Sequence, residues 1–215
     1  MKLHYSSTAR ALSLILATGL LLLALTFVTA AQCDTKIIDR RGWYLDGAVG
    51  AIQFLHPQRN SAAISNYTTG GVLSLEIYQR PLQHLGIGVR GALLGVPSNE
   101  PDARATYGGR AIVSMKFFFE AGKLEMYGAA ETGYTLLHRK VNFENADKIQ
   151  FHGATMGLAL GGQRQINQRI TMGFVVRFSQ MISSISCTEH LCHSPRKGRN
   201  PGPALFVGLH SNYKL

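Results

Sequence analysis

Of 215 residues only 16% are charged and 23 are glycine, where a soluble domain usually holds about 25% charged residues and about 7% glycine. An apolar share of 46% excludes disorder, and seven scattered prolines exclude a collagen-like or proline-rich chain. The formal charge of +10 falls by two once Lys2 and Arg10 are assigned to a leader, and the remaining excess favours anionic partners without naming one.

Lys2 and Arg10 precede a charge-free apolar run over 11–28, and Val28-Thr29-Ala30-Ala31 supplies small residues for a signal peptidase. Basic, then apolar, then small residues is the order of a cleaved secretory signal peptide, here 1–31. An uncleaved anchor is the alternative, because about 18 apolar residues just cross a bilayer. A lipidated start would need a small residue before Cys33, and Gln32 stands there. Residues 32–42 then form a short periplasmic segment ahead of a domain over 43–215.

Beyond residue 40 no window sustains a helical period; apolar residues alternate instead, the signal of half-buried strands. The first predicted strand, 43–54, carries Leu45, Val49 and Ala51 on one face, and the second, 67–79, carries Leu73, Leu75 and Ile77. The third (84–96) offers Leu85, Ile87, Val89 and Leu93, and the fourth (106–119) Val113, Met115, Phe117 and Phe119. The fifth (124–137) has Met126, Ala130, Tyr134 and Leu136; the sixth (149–161) has Ala154, Met156, Leu158 and Leu160. Ile170, Met172, Phe174, Val176 and Phe178 mark the seventh (169–181), and Leu205, Val207, Leu209, Tyr213 and Leu215 the eighth (204–215). Connections 80–83, 120–123 and 162–168 are short, whereas 55–66, 97–105, 138–147 and 182–203 are longer and hold most of the prolines. Short turns at one end and long loops at the other is the arrangement of an outer-membrane barrel.

The opposite face separates a membrane barrel from a soluble one. It carries Asp46, Glu76, Arg90, Arg110, Lys116, Glu125, Glu131 and Arg177 among Gly88, Ser74, Ser114, Ala129 and Gly173. A soluble barrel turns its large apolar residues inward and its charges outward. Sparse, balanced charges among small residues suit instead the narrow lumen of eight strands. The expected fold is all-β, an eight-stranded antiparallel transmembrane β-barrel behind a cleaved signal peptide, with a soluble periplasmic barrel or sandwich as the alternative. For a fourth-to-fifth hairpin over 120–123, one register sets Lys116 against Glu125 and Arg110 against Glu131, and a register shifted by two leaves both pairs diagonal but within reach. Such pairs make a polar plug; a selective pore lined by the same charges is the competing reading.

Cys187 and Cys192 lie close together in the last long loop, and in an oxidising compartment they are expected to form a disulfide. A zinc site using His190 and His193 would crowd its ligands more closely than the usual spaced pairs. The same loop holds Arg196, Lys197 and Arg199, a basic surface suited to lipopolysaccharide, sulfated glycans or acidic host proteins, or simply to phosphates of neighbouring lipid; nucleic acid is not an expected partner.

At Gly42-Trp43-Tyr44-Leu45-Asp46-Gly47-Ala48-Val49-Gly50 and at 205–215 the chain resembles the small outer-membrane barrels of the OmpA, OmpX and OmpW type. The resemblance implies an outer-membrane location, contact with lipid and lipopolysaccharide, and delivery by the barrel-assembly machinery. Its assembly signal corresponds to the last strand, with Tyr213 in the usual aromatic place; Leu215 departs from the family's terminal Phe or Trp. His210-Ser211-Asn212 is similar to the His-x-Ser-Asn of outer-membrane lipid A deacylases, but without the spacer His210 and Ser211 point to opposite faces of a strand, where base and nucleophile cannot meet. No phosphate loop, paired metal motif or nucleotide fingerprint occurs, and no cofactor is expected. The function read from the sequence is therefore non-enzymatic, envelope-structural or surface-interacting through basic loops; a narrow channel for small or hydrophobic solutes is the alternative.

Overall fold

The computed structural model describes residues 39–55, 69–97, 103–141, 149–182, 185–187, 192–193 and 203–215. The expected signal peptide, Cys33 and the basic residues Arg196, Lys197 and Arg199 lie outside them. Ten strands follow in order: β1 (Gly42–Phe54), β2 (Gly70–Leu82), β3 (Leu85–Pro97), β4 (Ala103–Ala121), β5 (Leu124–Val141), β6 (Ile149–Gln165), β7 (Ile170–Met181), β8 (Ile185–Cys187), β9 (Cys192–His193) and β10 (Ala204–Lys214). Seven long strands and β10 form an antiparallel ring in which β1 pairs with both β2 and β10, and β5 with both β4 and β6. The fold class read from the sequence is the one observed, an eight-stranded closed antiparallel barrel. The short β8 and β9, which the sequence reading left as loop, extend the sheet beside the top of β6.

Register shows how the ring closes. Following directly paired residues from Tyr44 leads through Tyr78, Gly88, Ser114, Glu131, Gly157, Ser179 and Ala204 back to Phe54, ten residues farther along β1. That stagger forces the strands to tilt, by about 35–45° in barrels of this kind. Short connections 83–84, 122–123 and 166–169 alternate with long ones, as the alternating strand directions require.

Several strands outrun their predicted ends. β2 continues past Gln79 although Pro81 lacks the N–H a ladder needs, and the register slips between Gln79 and Leu82 to absorb it. The β4–β5 turn is tighter than expected. Ala121 pairs with Leu124 across Gly122 and Lys123, and Gly122 has φ 64°, the left-handed value that glycine supplies in two-residue hairpins. The tight turn sets the register of the whole hairpin, so Arg110 lies opposite Thr135 and Lys116 opposite Ala129. The expected Lys116–Glu125 and Arg110–Glu131 pairs do not form.

Alternation decides what faces where. Leu73, Leu75, Val89, Leu93, Val113, Leu158, Leu160 and Leu209 all stand exposed on the outer surface, while charged and aromatic side chains are buried within. This inverts the order of a soluble barrel. A soluble monomer rarely leaves contiguous apolar patches larger than a few hundred Å² facing water. The core is the lumen itself.

Candidate functional site

The lumen is stacked in zones that follow from where each strand places its inward residues. At the end carrying the long loops, an apolar zone joins Ile52, Phe54, Leu94, Val96, Leu137, Phe151, Met181 and Ala204. Further in, four residues from Leu94 on β3 and six from Leu137 on β5, inward positions bring charge to the axis. Arg90 grips Glu131 with two nitrogens, Nη1 to Oε1 and Nη2 to Oε2, both at 2.6 Å, and Arg177 Nε stands 3.4 Å from Glu131 Oε1. Planar two-point contact of this kind is the stronger form of ion pair and fixes both partners.

Beside it, Lys116 Nζ lies 3.3 Å from Asp46 Oδ2 and 3.1 Å from Glu76 Oε2. The Ser114 hydroxyl donates to Glu76 Oε1 at 2.5 Å, and His210 Nδ1 is 3.4 Å from Asp46 Oδ1. All these charged groups are nearly sealed from solvent. A buried charge is tolerated only when paired. Asp46 and Glu131 meet that demand across the lumen, and Glu76 both across it and through Arg90, its directly opposite partner on β3, whose Nη1 lies 3.8 Å from Glu76 Oε2.

Below the ion pairs sits an aromatic zone. Tyr44 stacks on Tyr78 at 5.0 Å between centroids, Tyr78 on Phe118 at 6.2 Å, and Phe118 leans on Tyr127 at 5.7 Å. Cations cap these rings: Lys116 Nζ lies 4.2 Å from the Tyr78 ring centre and the Arg80 guanidinium 3.8 Å from that of Phe118. A desolvated cation over an aromatic face contributes about 2 kcal/mol. Gly161, directly opposite Tyr127, leaves the room its ring occupies; a Cβ there would meet Tyr127 Cζ at 2.3 Å.

At the short-turn end Glu125 gathers the last cluster. Arg80 Nη2 stands 2.9 Å from its Oε1, Arg40 Nη1 lies 2.5 Å from the same oxygen, and Gln163 Nε2 donates to Oε2 at 2.5 Å. Asn212 donates to Gln163 Oε1 at 2.5 Å, and Arg80 Nη2 also donates to the Gln83 carbonyl. Arg40 comes from the segment preceding β1, which Tyr44 holds through its hydroxyl on the Arg40 carbonyl and Lys214 through the Asp39 carbonyl. The start of the described chain thus covers this mouth. Outside it, hydrogen bonds from the Arg41 guanidinium hold the exposed Asp39 carboxyl down at about 2. That contact is intact above the ordinary carboxylate range and loosens as pH falls toward 2.

All eight sequence-selected lumen residues therefore face inward, but their partners differ from those expected. Glu131 joins Arg90 and Arg177, Lys116 joins Asp46 and Glu76, Glu125 joins Arg80 and Arg40, and Arg110 meets no carboxylate among the described residues. Sequence reasoning missed Arg80, Arg40, Tyr78, Tyr127, Gln163, His210 and Asn212. Counting alternate residues onward from Glu76, through Tyr78 to Arg80, would have found the first and third. His210 is buried in the lumen and Ser211 exposed on the outside, so the two lie on opposite faces. Tyr213 and Leu215 are exposed outward at the short-turn end, Leu215 donating its N–H to the Trp43 carbonyl at 3.0 Å. Cys187 and Cys192 are directly paired across the short β8–β9 ladder. Among the described residues no group of three metal-ligating side chains converges.

No protein-family model matches the chain, and no curated protein matches it in sequence. Solved structures match in shape. Neisserial surface protein A is 10% identical with a TM-score of 0.60, the match covering 81% of this chain and 97% of that one. The outer membrane protein OprG from Pseudomonas aeruginosa is 12% identical at a TM-score of 0.54, covering 81% and 98%. Ail, the attachment invasion locus protein of Yersinia pestis, is 9% identical at 0.50, covering 81% and 99%. The chain has the fold of the small bacterial outer-membrane barrels.

Proposed function

We propose that this chain is a non-enzymatic barrel of the bacterial outer membrane, its short turns and both ends of the barrel in the periplasm and its long loops outside. The role is envelope-structural or surface-interacting, carried by those loops with Arg196, Lys197 and Arg199 as the basic element that meets anionic ligands or lipopolysaccharide. The observation that carries this reading is the filled lumen, in which apolar, ionic and aromatic zones succeed one another where a channel would need an open path. Eight strands leave just enough interior for side chains to fill. Lipid is the solvent that an apolar exterior and a closed backbone ladder require. A leader over 1–31 and the short segment 32–42 belong to the same reading, as does delivery by the barrel-assembly machinery through the strand ending at Tyr213 and Leu215.

Planar-bilayer recording tests the central claim: the purified barrel gives no solute-dependent single-channel currents, and reproducible currents would replace this reading with a narrow channel. The membrane side of the claim rests on Leu158, 64% exposed midway along β6 between Ala130 and Phe178. Leu158→Arg costs about 2–4 kcal/mol of folding into lipid, as an arginine at the bilayer midplane does. A soluble barrel would accept the same change within about 0.5 kcal/mol, as at ordinary surface sites. Urea-driven unfolding from lipid vesicles separates the two.

The loop between β7 and β10 is clamped, in this reading, by a disulfide from Cys187 to Cys192. Directly paired residues of an antiparallel ladder lie about 4.5–5.5 Å apart at Cα, inside the span a disulfide accepts. Mass mapping of non-reduced peptides then finds these two joined and Cys33 separate; a bridge from Cys33 to either one within a chain contradicts the topology.

A further inference from the structure

The four inward carboxylates are all engaged by cations, and one cation is left over. Arg110, facing inward from β4, donates from Nη1 to Ser179 Oγ at 2.8 Å, while its buried Nε has no hydrogen-bond partner. No carboxylate among the described residues pairs with it; Glu131, which lines the same cavity, is held by Arg90 and Arg177. Arg110 borders a cavity of about 30 Å³ that Arg90, Arg177, Glu131 and Ser179 also line, together with apolar groups such as Ile112 and Phe206. Three guanidiniums and one carboxylate give the lining a net charge of +2. An unneutralised charge away from bulk water is costly, and in a low-dielectric wall its attraction for a counter-ion is strong.

We propose that this cavity binds one small inorganic anion of chloride size, held by Arg110 with Ser179 at its side. A cavity of about 10–15 Å³ already holds one water, so this one has room for a monatomic ion. Water alone would satisfy the Nε donor but leave the charge. The ion offsets part of the excess positive charge of this lining, so it acts on the folded barrel as a ligand that the unfolded chain lacks.

The test is urea unfolding of the mature chain in detergent micelles, with sodium bromide exchanged against sodium gluconate at fixed ionic strength. Above its dissociation constant a single bound anion raises the folding equilibrium constant tenfold for each tenfold rise in bromide. Wild type shows that unit slope, Ser179→Ala shows it displaced to higher bromide, and Arg110→Met shows none. An equal slope in Arg110→Met, or a wild-type midpoint indifferent to the exchange, overturns the proposal. Bromide anomalous scattering from crystals of the unaltered protein gives a second measurement that needs no variant. A peak against the Arg110 guanidinium supports the site, and a map without one there rejects it.

Discussion

Glu131→Gln lowers the unfolding free energy by about 3–5 kcal/mol, the cost of removing one partner from a buried ion pair. The carboxylate takes both terminal nitrogens of Arg90 and neighbours Arg177. Glutamine keeps the shape and loses the charge, which strands Arg177 and leaves Arg90 only its longer 3.8 Å contact with Glu76. The double change Glu131→Leu with Arg90→Met costs less than the single, because the penalty lies in the stranded charge and not in the lost contact. Urea midpoints read from the one tryptophan, Trp43, whose side chain faces outward, measure all the variants by the same signal. If the single and double variants both keep the wild-type midpoint while conductance rises, water already solvates these charges and the lumen is a pore.

Tyr127→Ala costs a comparable amount for a different reason. Its ring is only 2% exposed and lies between Phe118, His210 and the floor left by Gly161. Truncating a buried aromatic residue costs about 3–5 kcal/mol, part of it in the cavity left behind. The Tyr127 hydroxyl is buried without a hydrogen-bond partner. Tyr127→Phe therefore leaves the unfolding free energy unchanged or raises it by about 1 kcal/mol, since an unsatisfied polar group disappears. A phenylalanine variant as unstable as the alanine one would show that the hydroxyl, not the ring, does the anchoring.

The faces of the strands were legible because a period of two is all they require: Leu158 and Ala159, or Phe117 and Phe118, differ only in parity. The partners of the inward charges were not legible. Pairing across the lumen depends on three turns and a closing seam, and one misread turn moves every contact on a hairpin. Lys116 stands opposite Ala129 and not Glu125, four positions from the expected register though on the correct face. Arg80 was hidden by its neighbour Pro81, which reads as the end of a strand. Arg40 could not be found by periodicity at all, because it reaches Glu125 from outside any strand.

The seam between β1 and β10 differs from all others in the ring. Every other neighbouring pair of long strands is adjacent in sequence or, for β7 and β10, separated by a single excursion. Tyr44 and Lys214 are paired across almost the whole domain. Chain entropy makes such a distant contact slower to form than a local hairpin. Seven ladders can thus grow early and in varied order while the first and last strands still offer bare amide edges. Commitment comes late, in one step, and it depends on β10, the strand farthest along the chain from β1. Loss of even a few of its residues would leave two open edges in a solvent that hydrogen-bonds neither.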